Sequence, residues 1–263
     1  MRLKLTTTKE NSMSIFGVSL GKNQAQIELA RLIQDNDTKI IFATGNAGTG
    51  KTFVTLATAL QLQSDKKYSK IIYARNPVQV GEDMGYLPGD IDEKYMPFMG
   101  PLTDNLENIV RINYKGSSGS QKKAMIQNQV NELMHRIEVC PIAFLRGRSF
   151  EDAIVIVDEA QNLDLTALRT VLTRIGKYCK IILLGSMNQI DDWRQRKQPI
   201  CDFAKVMNKL CPQPYVGSVN LVESMRSPIC VEVDNLLGEI DREEKISVTF
   251  DDGHNSGIMY LNK

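Results

Sequence analysis

Gly45-Asn-Ala-Gly-Thr-Gly-Lys51-Thr52 is a complete Gly-x-x-x-x-Gly-Lys-Thr run, a spacing that grips a polyphosphate. Gly45, Gly48 and Gly50 lack a Cβ, so the backbone through Asn46, Ala47 and Thr49 can take positive φ and curl its N–H groups around phosphate oxygens. A helix opening at Lys51 adds its partly positive N-terminus. Lys51 would reach the β- and γ-phosphates as a point charge. The Thr52 hydroxyl would give one oxygen to an octahedral Mg²⁺ bridging the same phosphates.

A second constellation is Asp158-Glu159, which follows the apolar run Ala153-Ile-Val-Ile-Val157. If that run is a buried strand, Asp158 emerges at its carboxyl end and can hold a Mg²⁺-bound water. Glu159 is then the candidate to orient and polarise an attacking water. Gln189, after Gly185-Ser-Met-Asn188, is placed to sense a γ-phosphate. Arg226, in Glu223-Ser-Met-Arg-Ser-Pro228, could bring positive charge to the transition state, in its own subunit or across an interface.

The elements that must position these residues are legible as apolar runs. Lys39 to Thr44, Ile71 to Ala74, Ala153 to Val157 and Ile181 to Leu184 have strand character, with a fifth strand expected over Val219 to Val222. Helical patterns are expected over Asn23 to Asp35, Phe53 to Leu62, Pro101 to Asn113 and Leu165 to Ile175. Alternation of this kind predicts an α/β fold, a mainly parallel sheet covered by helices on both faces, with ligands at the carboxyl ends of the strands. A terminal hairpin is expected from 246–250 and 258–261. The domain division expected is a polar leader over 1–19, the nucleotide-binding domain over 20–240 with an insertion near 81–135, and a C-terminal β extension over 241–263. Within the insertion, Lys115-Gly-Ser-Ser-Gly-Ser120 reads as a mobile linker.

Composition excludes more than it assigns. The 263 residues are 42% hydrophobic and 24% charged, an ordinary globular balance with enough apolar surface for a large core. Lysine and arginine number 32 against 31 acids, a net charge of +1 that does not advertise a nucleic-acid binder. The five cysteines show no Cys-x-x-Cys spacing, so neither a zinc ribbon nor a disulfide framework is indicated. Residues 1–14 lack the apolar stretch of a signal peptide and no eighteen apolar residues run together, which predicts a cytoplasmic protein with free, buried thiols.

These segments together resemble the PhoH family of phosphate-loop ATPases, whose core is similar to that of superfamily 1 helicases. The resemblance is carried by Gly45 to Thr52, Ala74 to Gly81 with Gly85-Tyr-Leu-Pro-Gly-Asp90, Phe144-Leu-Arg-Gly-Arg-Ser149, Val157-Asp-Glu-Ala-Gln-Asn162, Leu172-Thr-Arg174 and Gly185 to Asp191. It covers roughly residues 20 to 235. It implies a RecA-like P-loop NTPase fold, binding and hydrolysis of ATP with Mg²⁺, and Gln24 in the place of the glutamine that contacts adenine in helicase-like relatives. It also implies a homo-oligomer, such as a hexameric ring, and the compact size is that of bacteriophage-encoded members. The chain departs from the family pattern at Ser186, where Gly-Asp is usual, so a carboxylate near the nucleotide is missing.

Only one set of strands and motifs is present, so the second wall of a helicase-like cleft has to come from elsewhere. A neighbouring subunit could supply it, with Arg75, Arg146, Arg148, Arg174 or Arg226 inserted in trans. RNA or single-stranded DNA is the expected partner, through Arg75, Lys122, Lys123 and Arg194-Gln-Arg-Lys197 beside Trp193. Two other readings stay open: an ATP-dependent switch or adaptor, and a nucleoside kinase.

Overall fold

The computed structural model describes residues 13–75, 99–114, 120–145, 147–187, 189–191, 195, 197–233 and 236, with the backbone of 248–251 and 256–259. It divides into two compact units, 1–223 and 224–263.

The first unit is built on a six-stranded sheet. Its strands are β3 (Ile40–Gly45), β4 (Lys70–Arg75), β5 (Ile137–Pro141), β6 (Ala153–Asp158), β7 (Cys179–Gly185) and β8 (Val216–Leu221). They lie in the order β5-β4-β6-β7-β3-β8, and every neighbouring pair is parallel. Helix α1 (Gln24–Gln34) precedes the first of these strands, and most of the crossovers that parallel neighbours need are carried by α2 (Lys51–Ser64), α3 (Gly100–Asn113), α4 (Ser120–His135), α5 (Leu165–Leu172) and α6 (Asp202–Leu210). The sheet is therefore the α/β, mainly parallel architecture that the alternating runs predict.

The two-residue period of the strands sorts the core into two layers. Ile41, Ala43, Ile71, Tyr73, Ile154, Ile156, Ile182 and Leu184 pack with residues of α1 to α4, among them Ile27, Leu56, Leu102 and Val130. Their neighbours Phe42, Ile72, Ala74, Val155, Val157, Ile181 and Leu183 pack on the other face with Leu168 and Val171 of α5 and Phe203 of α6. Helix α3 docks by one face: Leu102, Leu106, Ile109 and Val110 fall on one stripe and are all buried.

Several sequence expectations shift. Strand β5 has no counterpart among the expected strands, because it is an edge strand with Glu138 exposed and Pro141 at its end. The fifth expected strand begins earlier, at Val216, and Val222 is exposed beyond its end. The helix expected to reach Ile175 stops at Leu172, because Arg174 and Ile175 turn to bond Phe150: the Phe150 N–H donates to the Arg174 carbonyl at 3.2 Å and Ile175 forms a parallel bridge with Phe150. Helix α4 begins at Ser120, at the end of the glycine–serine tract whose residues 115–119 lie outside the described residues. So do the Gly85 to Asp90 signature, Arg146, Asn188 and Trp193.

The polar N-terminal stretch contains structure as well. Strands β1 (Ser14–Ile15) and β2 (Val18–Ser19) pair antiparallel around Phe16 and Gly17, both at positive φ (47° and 75°), the geometry of a two-residue hairpin turn. Ile15 and Val18 are buried in the core. Phe16 gives its N–H to Gln61 Oε1 (3.0 Å) on α2 and accepts from Asn113 Nδ2 (2.8 Å) on α3.

In the second unit, 228–233 is helical, and β9 (Val248–Asp251) pairs antiparallel with β10 (Ser256–Met259), Asp251 opposite Ser256. Relative to the expected 246–250 and 258–261, β9 begins two residues later and ends one later, and β10 lies two residues earlier.

Among the described residues no disulfide forms. Cys140, Cys179 and Cys201 are buried, Cys211 is half-buried and Cys230 is exposed. No helix among them is long and apolar enough to cross a membrane.

Candidate nucleotide site

The glycine run lies at the carboxyl end of β3 and opens directly into α2. Gly45, Gly48 and Gly50 have φ of 143°, 74° and 88°, so the loop uses the left-handed freedom that only glycine supplies cheaply. A Cβ on Gly45 would sit 2.2 Å from the Leu221 carbonyl, and one on Gly50 would sit 2.6 Å from Gln26 Nε2. Gly50 caps α2 without any side-chain hydrogen bond, which leaves the helix N-terminus for a ligand rather than for its own chain. Lys51 folds back over the loop, its Nζ donating to the carbonyls of Gly45 (2.7 Å) and Asn46 (2.9 Å).

The loop is braced from below by a residue absent from the sequence reading. Gln26 of α1 is buried and donates to the Thr49 carbonyl at 3.0 Å, while Thr49 donates its own hydroxyl to the Asn46 carbonyl at 3.0 Å. Two residues earlier, Gln24 is exposed on the first turn of α1, its amide donating to the Lys22 carbonyl at 3.4 Å.

The acid pair arrives from β6. Strand β7 lies between β3 and β6, yet the first turn of α2 spans that gap: Thr52 Oγ1 donates to Asp158 Oδ1 at 3.4 Å. Asp158 is buried; its Oδ1 also accepts the Glu159 N–H (3.1 Å) and its Oδ2 accepts the Tyr73 hydroxyl (2.5 Å). Burial and the neighbouring Asp158 carboxylate push the Tyr73 phenol well above its ordinary value, so it remains a donor.

Glu159 turns away from the strand with φ 54° and ψ 40°. Its Oε2 accepts from Gln161 Nε2 at 2.6 Å and its Oε1 lies 3.6 Å from Arg75 Nη2 at the end of β4. Gln161 is wholly buried and ties this acid to the loop after β7, its Nε2 also donating to the Gln189 carbonyl (2.8 Å) and its Oε1 accepting the Ser186 N–H (3.0 Å). Gly185 makes room for that tie, since a Cβ there would meet the Phe203 ring at 2.8 Å and Gln161 Oε1 at 3.2 Å. Asn162 pins the far end of the loop by accepting the Asp191 N–H at 2.8 Å.

The structure thus brings Lys51, Thr52, Asp158, Glu159 and the backbone of Gln189 to one edge of the sheet. Tyr73 and Gln26 join them without a sequence signal, because a tyrosine inside a strand or a glutamine on a helix reads as core or surface until its partner is known; Gln161 stands in the Asp-Glu-Ala-Gln-Asn run, but its tie to the loop after β7 shows only in the fold. Arg75 pairs in its own chain with Glu159, and Arg148 pairs with Glu138. Arg226 lies in the second unit, where its N–H donates to Ser224 Oγ at 3.2 Å. Among the described residues no cluster of three or more His, Cys, Asp or Glu could hold a metal alone. One hydroxyl and one carboxylate fit a cation that brings phosphate oxygens with it.

The family model described as PhoH-like protein matches residues 20–237. Over 222 residues the chain is 36% identical to Protein PhoH2 of Bacillus subtilis (strain 168), covering 82% of this chain and 47% of that one. It is 37% identical over 172 residues to Protein PhoH of Escherichia coli (strain K12), covering 65% and 45%. The chain spans about half the length of the curated relatives it matches. Among solved structures, the Pif1 helicase from Candida albicans is 14% identical with a TM-score of 0.41, over 89% of this chain and 49% of that one, a likeness too loose to argue from. A match running across residues 20–237, with relatives about 36% identical, places the chain in one group: it belongs to the PhoH family.

Proposed function

We propose that the chain binds and hydrolyses ATP with Mg²⁺ and couples turnover to RNA or single-stranded DNA. The observation that carries this reading is the 3.4 Å approach of Thr52 to Asp158, which joins the phosphate loop to the acid strand across β7. Mg²⁺ at this pair would neutralise charge building on the transferred phosphoryl group. The loop N–H groups from Gly45 to Gly50 hold the polyphosphate, and Lys51 exchanges its two carbonyl partners for phosphate oxygens. Asp158 keeps its orientation through Tyr73. Glu159 accepts a proton from the attacking water, Gln189 responds to the γ-phosphate, and Gln24 meets the adenine.

The strand path on this reading follows Lys122, Lys123 and the basic residues near 194–197. Lys122 stands over the Tyr114 ring, 5.7 Å from its centroid, which puts a cation and an aromatic together on this path; a base stacking on Tyr114 would have to displace the ammonium onto its phosphate. The single set of motifs supports completion of the site by a neighbouring subunit, in an assembly such as a ring, with Arg146, Arg148, Arg174 or Arg226 as the candidates to be inserted in trans.

Calorimetry with Mg-ATP and phosphate release measured with and without single-stranded RNA or DNA, across a salt series and a dilution series, tests each step. Tight binding, release stimulated by the strand, and turnover per chain that falls on dilution are expected. Binding without release would favour the switch or adaptor, a reading helped by Ser186 standing where a carboxylate is usual. A phosphorylated nucleoside would identify a kinase instead.

A further inference from the structure

Arg75 is the last residue of β4, in register with Asp158 of β6 on one side and Pro141 of β5 on the other. Its guanidinium touches two things that matter to the acid pair. Nη2 lies 3.6 Å from Glu159 Oε1, and the side chain also bonds the Tyr73 hydroxyl, which in turn holds Asp158.

Glu159 needs such support. It leaves the sheet in a left-handed turn, φ 54°, which a residue with a side chain adopts only when its surroundings impose it. Its carboxylate hangs on three rotatable bonds, and a group that must meet one water in one direction loses rate when those bonds are free. Gln161, wholly buried, fixes Oε2; Arg75, with 23% of its side chain accessible, fixes Oε1. A planar guanidinium suits the second task, because it can face a carboxylate and a phenol at once without giving up its charge.

We propose that Arg75 is a positioning residue that aims Glu159 from within the same chain, and is neither the arginine supplied in trans nor a contact to the strand. This rests on the hydrolytic reading above, in which Glu159 receives the proton.

The test is a double-mutant cycle on the full chain with R75M, R75K, E159Q and R75M/E159Q, each checked for an unchanged folded spectrum. Phosphate release is read at saturating Mg-ATP, and affinity is read with a fluorescent ATP analogue and a labelled single strand. Loss of aim predicts that R75M lowers kcat by about 10- to 100-fold, with KM and both affinities within about threefold of wild type. R75K should recover part of the loss, and R75M should cost nothing further in the E159Q background. A loss that persists beside E159Q, a weakened nucleotide or strand affinity that accounts for the loss, or recovery of turnover on mixing R75M with E159Q chains overturns the proposal. Wild-type chain that releases no phosphate overturns the hydrolytic reading and this one with it, whereas wild-type release that R75M leaves unchanged overturns this one alone.

Discussion

Tyr73 donates its hydroxyl to Asp158 Oδ2 at 2.5 Å, from β4 to the neighbouring β6, in a layer where both residues are buried. A buried carboxylate carries a large desolvation cost unless it is bonded, so this phenol is part of what lets Asp158 stay at the site. Tyr73→Phe keeps the ring packing and removes only the donor. We expect a loss of about 2 kcal/mol in urea unfolding and a rise of about tenfold in the Mg²⁺ concentration for half-maximal nucleotide binding. An unchanged Mg²⁺ dependence would show that Asp158 is held by other means.

Gly50→Ala tests the phosphate loop itself. The new methyl would lie 2.6 Å from Gln26 Nε2 on a backbone with φ 88°, so two costs coincide, one steric and one conformational. Together they should destabilise the fold by about 2 kcal/mol. Adding Gln26→Ala relieves the contact and leaves the dihedral strain, so the double variant should lose less than the two single losses summed. Unfolding midpoints of the three chains decide it.

Gln161→Glu keeps the shape of the side chain and reverses its donor end. The new carboxylate would face Glu159 Oε2 and the Gln189 carbonyl, both of which now accept from Gln161 Nε2. We expect about 3 kcal/mol of lost stability and nucleotide turnover reduced at least as much as by a direct change of Gln189. Turnover and urea midpoints equal to wild type would mean that the loop after β7 is held without this tie.

Stability should also carry a signature in pH. Lys180 is wholly buried, with Nζ donating to the carbonyls of Leu32 (3.3 Å) and Asp35 (2.5 Å) at the end of α1. Burial lowers its pKa from 10.5 to about 8, partly countered by Asp35. Between those values the unfolded chain binds the proton more readily, so folding stability rises with pH across the window. Cys179 next to it is pushed by burial from 9.0 up to about 11. There the unfolded chain loses its proton first, so stability falls between those values. The net expectation is a gain of about 1 kcal/mol from pH 7 to pH 9, then a plateau. Cys179→Ala should turn the plateau into a continued rise until about pH 10, where Tyr68, also raised by burial, begins to oppose it. Urea midpoints measured across this range check both curves.

The central strands were legible because four runs, such as Ile154 to Val157, are apolar on both faces, as only a covered parallel strand requires. The motif residues Lys51, Thr52, Asp158 and Glu159 were legible because a glycine-rich loop and an acid pair at strand ends have a fixed sequence spacing. Strand β5 was not, since an edge strand such as Ile137–Pro141 needs only one covered side and can carry Glu138 outward. Gln26 was hidden for a different reason, since it is defined by the Thr49 carbonyl 23 residues away, and Gln161, although inside the Asp-Glu-Ala-Gln-Asn run, gives no sign there of its bond to the Gln189 carbonyl 28 residues away. Arg75 stands out for its charge, but its partner Glu159 follows the end of another strand, and the pairing is visible only with β4 and β6 side by side.

The small hairpin at 14–19 sets a practical limit on how this chain can be trimmed. The family match begins at residue 20, and a truncation made there would strip Ile15 and Val18 from beside α2 and leave Gln61 and Asn113 without Phe16. Such a fragment would bare an oily seam on two helices, and should express poorly and clump on concentration.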